Sequence, residues 1–207
     1  MVDEEVKKYV EAEILPKYVG VGGHTSKHVL EVIKRSLGFF EQAKELNINM
    51  VYVIAAYHDL GRIVDDERHN IESAKMLRAD EFIKRHFSAD EIEVMAEAVE
   101  DHRASLGREP RSIYGKLVSS ADRNTDINEM LERSYDYAKY LHPEKSEDEI
   151  IEDARYHLRE KYSPDGYAAK TMYFENPDFK KMLVRMEEIT RDFETFAKIM
   201  REHNEER

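Results

Sequence analysis

The chain has 207 residues, enough for one large domain or a domain with an extension, and 41% apolar residues can fill a core. Charged residues make up 37% and the net charge is −12, with both signs interspersed, which argues against nucleic acid or an anionic membrane as main partner. The absence of cysteine excludes a disulfide scaffold, a thiolate zinc site and a cysteine nucleophile.

The apolar period is helical almost throughout. Val6, Val10 and Ile14 form a first short stripe, stopped by Pro16 and the run Gly20-Val21-Gly22-Gly23. From about Thr25 a second helix carries Val29, Val32, Ile33 and Phe40 on one side. Met50 to Asp59, with Asn49 as the expected cap, is apolar on nearly all faces, the pattern of a helix buried in the middle of its domain; Gly61 ends it. Asn70 is placed to cap a helix from Ile71 to Phe82. Ser88 and Glu91 spell a capping box ahead of Ile92, Met95 and Val99. Ser112 precedes a helix with Leu117, Val118 and Ala121, and Leu131, Ala138 and Leu141 mark the next. Ser146 with Glu149 repeats the capping box before Ile150, Ala154 and Leu158. Asn176-Pro177 opens a last helix whose stripe, from Phe179 through Phe193 and Phe196 to Met200, runs nearly to the end.

The expected fold is therefore a single all-α domain over residues 1–207, with a compact core at about 20–135 and a helical extension at about 136–207. The extension contains the turn signal Ser163-Pro164-Asp165-Gly166-Tyr167. No apolar run approaches the length of a membrane span, and the N-terminus reads as an acidic amphipathic segment rather than a signal peptide. The default expectation is a cytoplasmic protein without a membrane partner; a homo-oligomer is compatible with the sequence.

His58-Asp59 closes the most buried-looking helix. A carboxylate there needs compensation, which a metal ion can supply. Alternatively the helix ends at the surface, with His58 against the negative end of its dipole. Other residues bear on that choice. His28 adjoins Val29 one turn before Val32, His102 lies three after Val99, and Asp122 lies four after Val118, so each borders a buried face. His69 stands beside a helix start. Any one of these histidines alone reads as a core or rim residue. Metal-type side chains at the inner edges of four successive helices read as a ligand set, and a mixed His/Asp set suits Mn, Fe, Co, Ni or Zn rather than Ca or Mg.

A histidine, a His-Asp pair and a later aspartate on helices of an all-α core resemble the HD-domain superfamily of metal-dependent phosphohydrolases. The match runs through His28-Val29-Leu30-Glu31-Val32, His58-Asp59 and Ser119-Ser120-Ala121-Asp122, over about residues 24 to 125. His69 and His102 fall where binuclear members add two histidines, and His58-Asp59-Leu60-Gly61-Arg62 is similar to their His-Asp-Ile-Gly-Lys-like run.

The resemblance implies one or two divalent transition-metal ions (Mn, Fe, Co, Ni or Zn). The first would be held by His28, His58, Asp59 and Asp122, the second by a bridging Asp59 with His69 and His102. It implies attack of a metal-bound hydroxide on a phosphate ester or anhydride of a nucleotide or related small metabolite. Arg62, Arg103 or Arg123 would clamp the phosphate of this small anionic substrate, or sit in surface ion pairs. His24, one turn before His28, is a candidate substrate contact or a loop histidine; Lys170, in Asp165-Gly166-Tyr167-Ala168-Ala169-Lys170, reaches a phosphate or is exposed. His86, His142, His157 and His203, among charged residues, read as solvated. The competing functions are a di-iron oxygenase of the HD type and a non-catalytic ligand-binding regulatory module.

Overall fold

A spacing of four outruns the 3.6-residue period of an α-helix, so the stripe Val6-Val10-Ile14 drifts by about 40° per step on a regular helix. The computed structural model, which describes residues 1–18 and 26–205, shows how the chain absorbs this. Helix α1 (Glu4–Tyr9) widens into a π-helical turn at Val10–Ile14 and then tightens into a 3-10 turn at Leu15–Tyr18. Pro16 has no amide proton to continue the α-helical ladder, so the change of winding falls where regular bonding fails. The three stripe residues and Tyr18 are all buried.

The described residues hold helices and no strand. Contacts divide the chain into two compact units, Met1–Asp122 with Met172–Glu175, and Arg123–Thr171 with Asn176–Arg207. The first contains α1, α2 (Ser26–Phe40), α3 (Ile48–Tyr57), a 3-10 turn at Leu60–Ile63, α4 (His69–Ala79), α5 (Glu81–His86), α6 (Ala89–Glu100) and α7 (Ile113–Ala121). The second contains α8 (Ile127–Leu141), α9 (Glu147–Tyr162), α10 (Tyr167–Lys170), α11 (Pro177–Thr190) and α12 (Phe193–Glu205). The glycine run at 20–23, Thr25 and His24 lie outside the described residues.

Helix α3 is the axis of the first unit. Every residue from Met50 to Tyr57 is buried, and α2, α6 and α7 all pack against it. A helix apolar on all faces has no other stable place. Its C-terminal end is thereby held in the interior, and the His-Asp pair with it.

Several boundaries differ from the sequence expectation. Asn47, not Asn49, caps α3 by accepting from the Asn49 amide, while the Asn49 side chain accepts the Asp3 amide at 2.8 Å. The α-helix stops at Tyr57 and the chain passes Gly61 in a 3-10 turn. Helix α4 begins at His69, and Asn70 donates to the Glu100 carbonyl instead of capping. The segment expected to run on to Phe82 breaks at Asp80, whose carboxylate caps α5 through the Phe82 and Ile83 amides. The last helix breaks in the same way at Asp192, which accepts from the Thr195 amide at 2.9 Å. Both capping boxes, the Ser112 cap and the Asn176-Pro177 start form as expected. His157 is not solvated: it is partly buried beside Tyr137, and burial pushes its pKa down. No helix among the described residues is long and apolar enough to cross a membrane.

Candidate metal centre

The first unit gathers six side chains from five places. His28 comes from the first turns of α2, and His58 and Asp59 follow the last residue of α3. His69 opens α4, His102 lies just beyond α6, and Asp122 is the C-cap of α7. His58, Asp59, His69 and His102 are buried; Asp122 keeps an exposed edge.

Asp59 stands in the middle. Its Oδ2 lies 3.8 Å from His28 Nε2 and 3.6 Å from His58 Nε2, with those two nitrogens 3.3 Å apart. Its Oδ1 lies 3.2 Å from His69 Nε2 and 3.5 Å from His102 Nε2, again with 3.3 Å between the nitrogens. Asp122 Oδ1 joins the first group, 3.1 Å from His28 and 3.7 Å from His58. Two ligand groups result, His28-His58-Asp59 and Asp59-His69-His102, each able to hold a metal ion.

The donor chemistry fits such an ion. Three imidazoles are fixed by the same local device: Nδ1 of His58, His69 and His102 bonds to the carbonyl three residues earlier, on Ala55, Asp66 and Val99, at 2.8, 2.7 and 2.7 Å. A carbonyl only accepts, so each Nδ1 carries the proton and each Nε2 presents a lone pair. The lone pairs of His69 and His102 therefore face each other at 3.3 Å beside a carboxylate oxygen, an arrangement that a cation stabilises. Bonds of about 2.1 Å give tetrahedral or octahedral edges of about 3.0–3.4 Å, and the spacings here, 3.1–3.8 Å, overlap that range and run slightly beyond it.

Electrostatics keep the donors ready. Burial pushes the His58 imidazole down to about 4, against the opposing pull of Asp59 and Asp122. Burial and then His102 push His69 down to about 4. Burial works to raise the Asp122 carboxyl, but the His28 hydrogen bond and the His58 and His28 charges hold it well below the usual range. A pH dependence follows. From the ordinary histidine value of 6.5 down to about 4, the unfolded chain takes up protons that folded His58 and His69 refuse. Their contribution to stability is thus complete above about pH 6.5 and is lost as pH falls toward 4. The unfolding midpoint, measured in chelator, should drop across that window, and a flat profile would contradict this assignment of protonation.

Arg62 supplies a positive counterpart. Its Nε lies 3.0 Å from Asp59 Oδ2, its Nη1 pairs with Asp66, and its Nη2 reaches to 3.5 Å from His69 Nε2. Burial lowers its pKa, yet the Asp59 and Asp66 carboxylates raise it further, so the charge is retained. Arg103 donates to the Glu67 carbonyl at 2.9 Å, and Asp65 accepts from the Glu67 and Arg68 amides, fixing the loop ahead of His69.

Arg123 and Lys170 belong to the second unit. There Arg123 is buried and donates to Thr171 Oγ1, while Lys170 is exposed and pairs with Asp165 at 3.4 Å. The sequence reading missed Asp66, although its i, i+4 relation to Arg62 was a usable signal. It also missed Asp101, buried next to His102 and locked by Arg108 and Arg111 at 2.6 and 2.9 Å.

The family model of the HD domain matches residues 25–125, the stretch that holds all six of these side chains. No match is found among curated proteins or among solved structures. HD domains are typically metal-dependent hydrolases that bind divalent ions. Residues 25–125 of this chain are an HD domain.

Proposed function

We propose that this protein hydrolyses a phosphate ester or anhydride of a nucleotide or related small metabolite, using one or two divalent transition-metal ions drawn from Mn, Fe, Co, Ni and Zn. The observation that carries the reading is the double-sided placement of Asp59, one oxygen toward each histidine pair. Divalent ions bound there lower the pKa of water and neutralise phosphate oxygens. His28, His58 and Asp122 would hold the first ion with Asp59, and His69 and His102 the second.

The residues divide the remaining work. Neutral His58 and His69 keep their Nε2 lone pairs available at neutral pH, because burial resists protonation. Arg62 keeps its charge beside Asp59 and presents a planar fork suited to phosphate oxygens. Arg103 would support it from beside His102. A fixed cation next to the ligands favours an anionic substrate over the oxygen-dependent chemistry of a di-iron centre.

The test is turnover of phosphomonoesters, cyclic nucleotides and dinucleoside polyphosphates by protein loaded in turn with each metal. Arg62→Gln should raise KM for whichever substrate is cleaved. No turnover of any of them, by protein shown to hold metal, would overturn the reading.

A further inference from the structure

The last four carbonyls of a helix have no partner within it. At the end of α3 the His58 ring takes the Ala55 carbonyl, and the Ala56 carbonyl accepts a bond from a distant residue, the hydroxyl of Tyr18, at 2.8 Å. Tyr18 thus ties down the end of α3 three residues before Asp59, and it is fully buried. It comes from the 3-10 turn Leu15–Tyr18, which lies outside the residues matched to the HD domain.

We propose that Tyr18 is a positioning residue for the metal ligands, fixing the end of α3 from which His58 and Asp59 follow so that each Asp59 carboxylate oxygen meets its own histidine pair. The inference rests on the metal-centre reading above. A carboxylate that must face two donor pairs tolerates little rotation, because turning the Asp59 backbone moves both oxygens together. The phenol is buried, so its removal leaves the Ala56 carbonyl without this partner. The N-terminal segment is itself well anchored, with Val6, Val10 and Ile14 in the core and the Tyr9 hydroxyl bonded to Asp80. The π-helical turn brings Tyr18 into place, and such turns recur at functional sites.

The experiment compares wild type, Tyr18→Phe and Tyr52→Phe, the last a buried phenol of α3 set near Glu11. Each is titrated with cobalt(II), following affinity and the visible ligand-field bands. Groups that orient metal ligands are worth about 10–100-fold in metal affinity. Tyr18→Phe should bind cobalt at least about 10-fold more weakly with altered bands, while Tyr52→Phe matches wild type. Unchanged affinity and bands in a folded Tyr18→Phe protein overturn the proposal and leave the metal centre standing. If wild type itself takes up no cobalt, the metal-centre reading falls and the proposal with it. Should Tyr18→Phe fail to fold, proton exchange in wild type decides: a slowly exchanging Tyr18 hydroxyl upholds the proposal, and one exchanging like a surface phenol overturns it.

Discussion

Asp59→Ala is expected to abolish metal binding at both ligand groups, while Asp59→Asn abolishes it at one. The difference lies in the two faces of the side chain. Asp59 Oδ1 and Oδ2 each sit within 3.2–3.8 Å of two imidazole nitrogens, so alanine removes a donor from both groups at once. Asparagine keeps one oxygen and replaces the other with an amide NH2, which donates and cannot coordinate. Orienting groups behind ligands already cost about 10–100-fold in affinity when removed, so loss of the shared ligand should cost at least about 100-fold. Metal content after dialysis reads the result directly: the most for wild type, less for Asp59→Asn and least for Asp59→Ala. Equal stoichiometry in all three would show that Asp59 is not shared. Alanine also strips Arg62 of a buried partner, so it should destabilise the fold more than asparagine does.

Gly61→Ala is expected to be far more damaging than alanine at Gly38, Gly107 or Gly115, the other described glycines of the first unit. A Cβ at this position would sit 2.3 Å from the His69 carbonyl oxygen, 2.5 Å from the Ser73 amide nitrogen and 2.8 Å from Glu72 Cβ. The two closest atoms are backbone, so no rotamer change relieves the clash. The Gly61 amide is also bonded to Ser73 Oγ at 2.7 Å, which ties the turn to α4. Overpacking costs about 1–3 kcal/mol and more where the neighbour cannot yield, so a loss of about 3 kcal/mol is expected in urea unfolding. The effect should not stop at stability. Pushing α4 away carries His69 with it, so the second ion should bind more weakly than the first. A stability change under about 0.5 kcal/mol would show that α4 moves freely.

The sequence made some of this legible because some signals are local. A capping box occupies four residues, and both Ser88-Glu91 and Ser146-Glu149 form as read. The buried character of α3 needs only composition around the helix. The breaks at Asp80 and Asp192 were hidden because the apolar stripe continues through each and no glycine or proline marks the spot. An aspartate can compete for amides two and three residues on, but whether it wins depends on its neighbours. Asp80 is settled by the hydroxyls of Tyr9 and Tyr57, which no local window contains. Asn49 was the expected cap of α3, but Asn47 serves, and the Asn49 side chain is taken by Asp3, forty-six residues away. At the site, the residue types and their helical faces were readable, and the family resemblance ordered them. Unreadable were the groups behind the ligands: Tyr18 on the Ala56 carbonyl and the arginines on Asp101 reach their places through tertiary packing.

The repeated bond from a histidine Nδ1 to the carbonyl three residues back has a wider consequence. For His58, His69 and His102 the aim of the ring is written within four consecutive residues. Each ligand behaves as a self-contained tile whose orientation travels with its own piece of backbone. Drift in the sequences between such tiles can then slide them relative to one another without spinning any ring out of line. The alanines packed fully buried in α3, α4 and α6 set how far they can slide. A candidate centre assembled this way could change the spacing of its two ligand groups by resizing a few small core residues while every ligand stays in place.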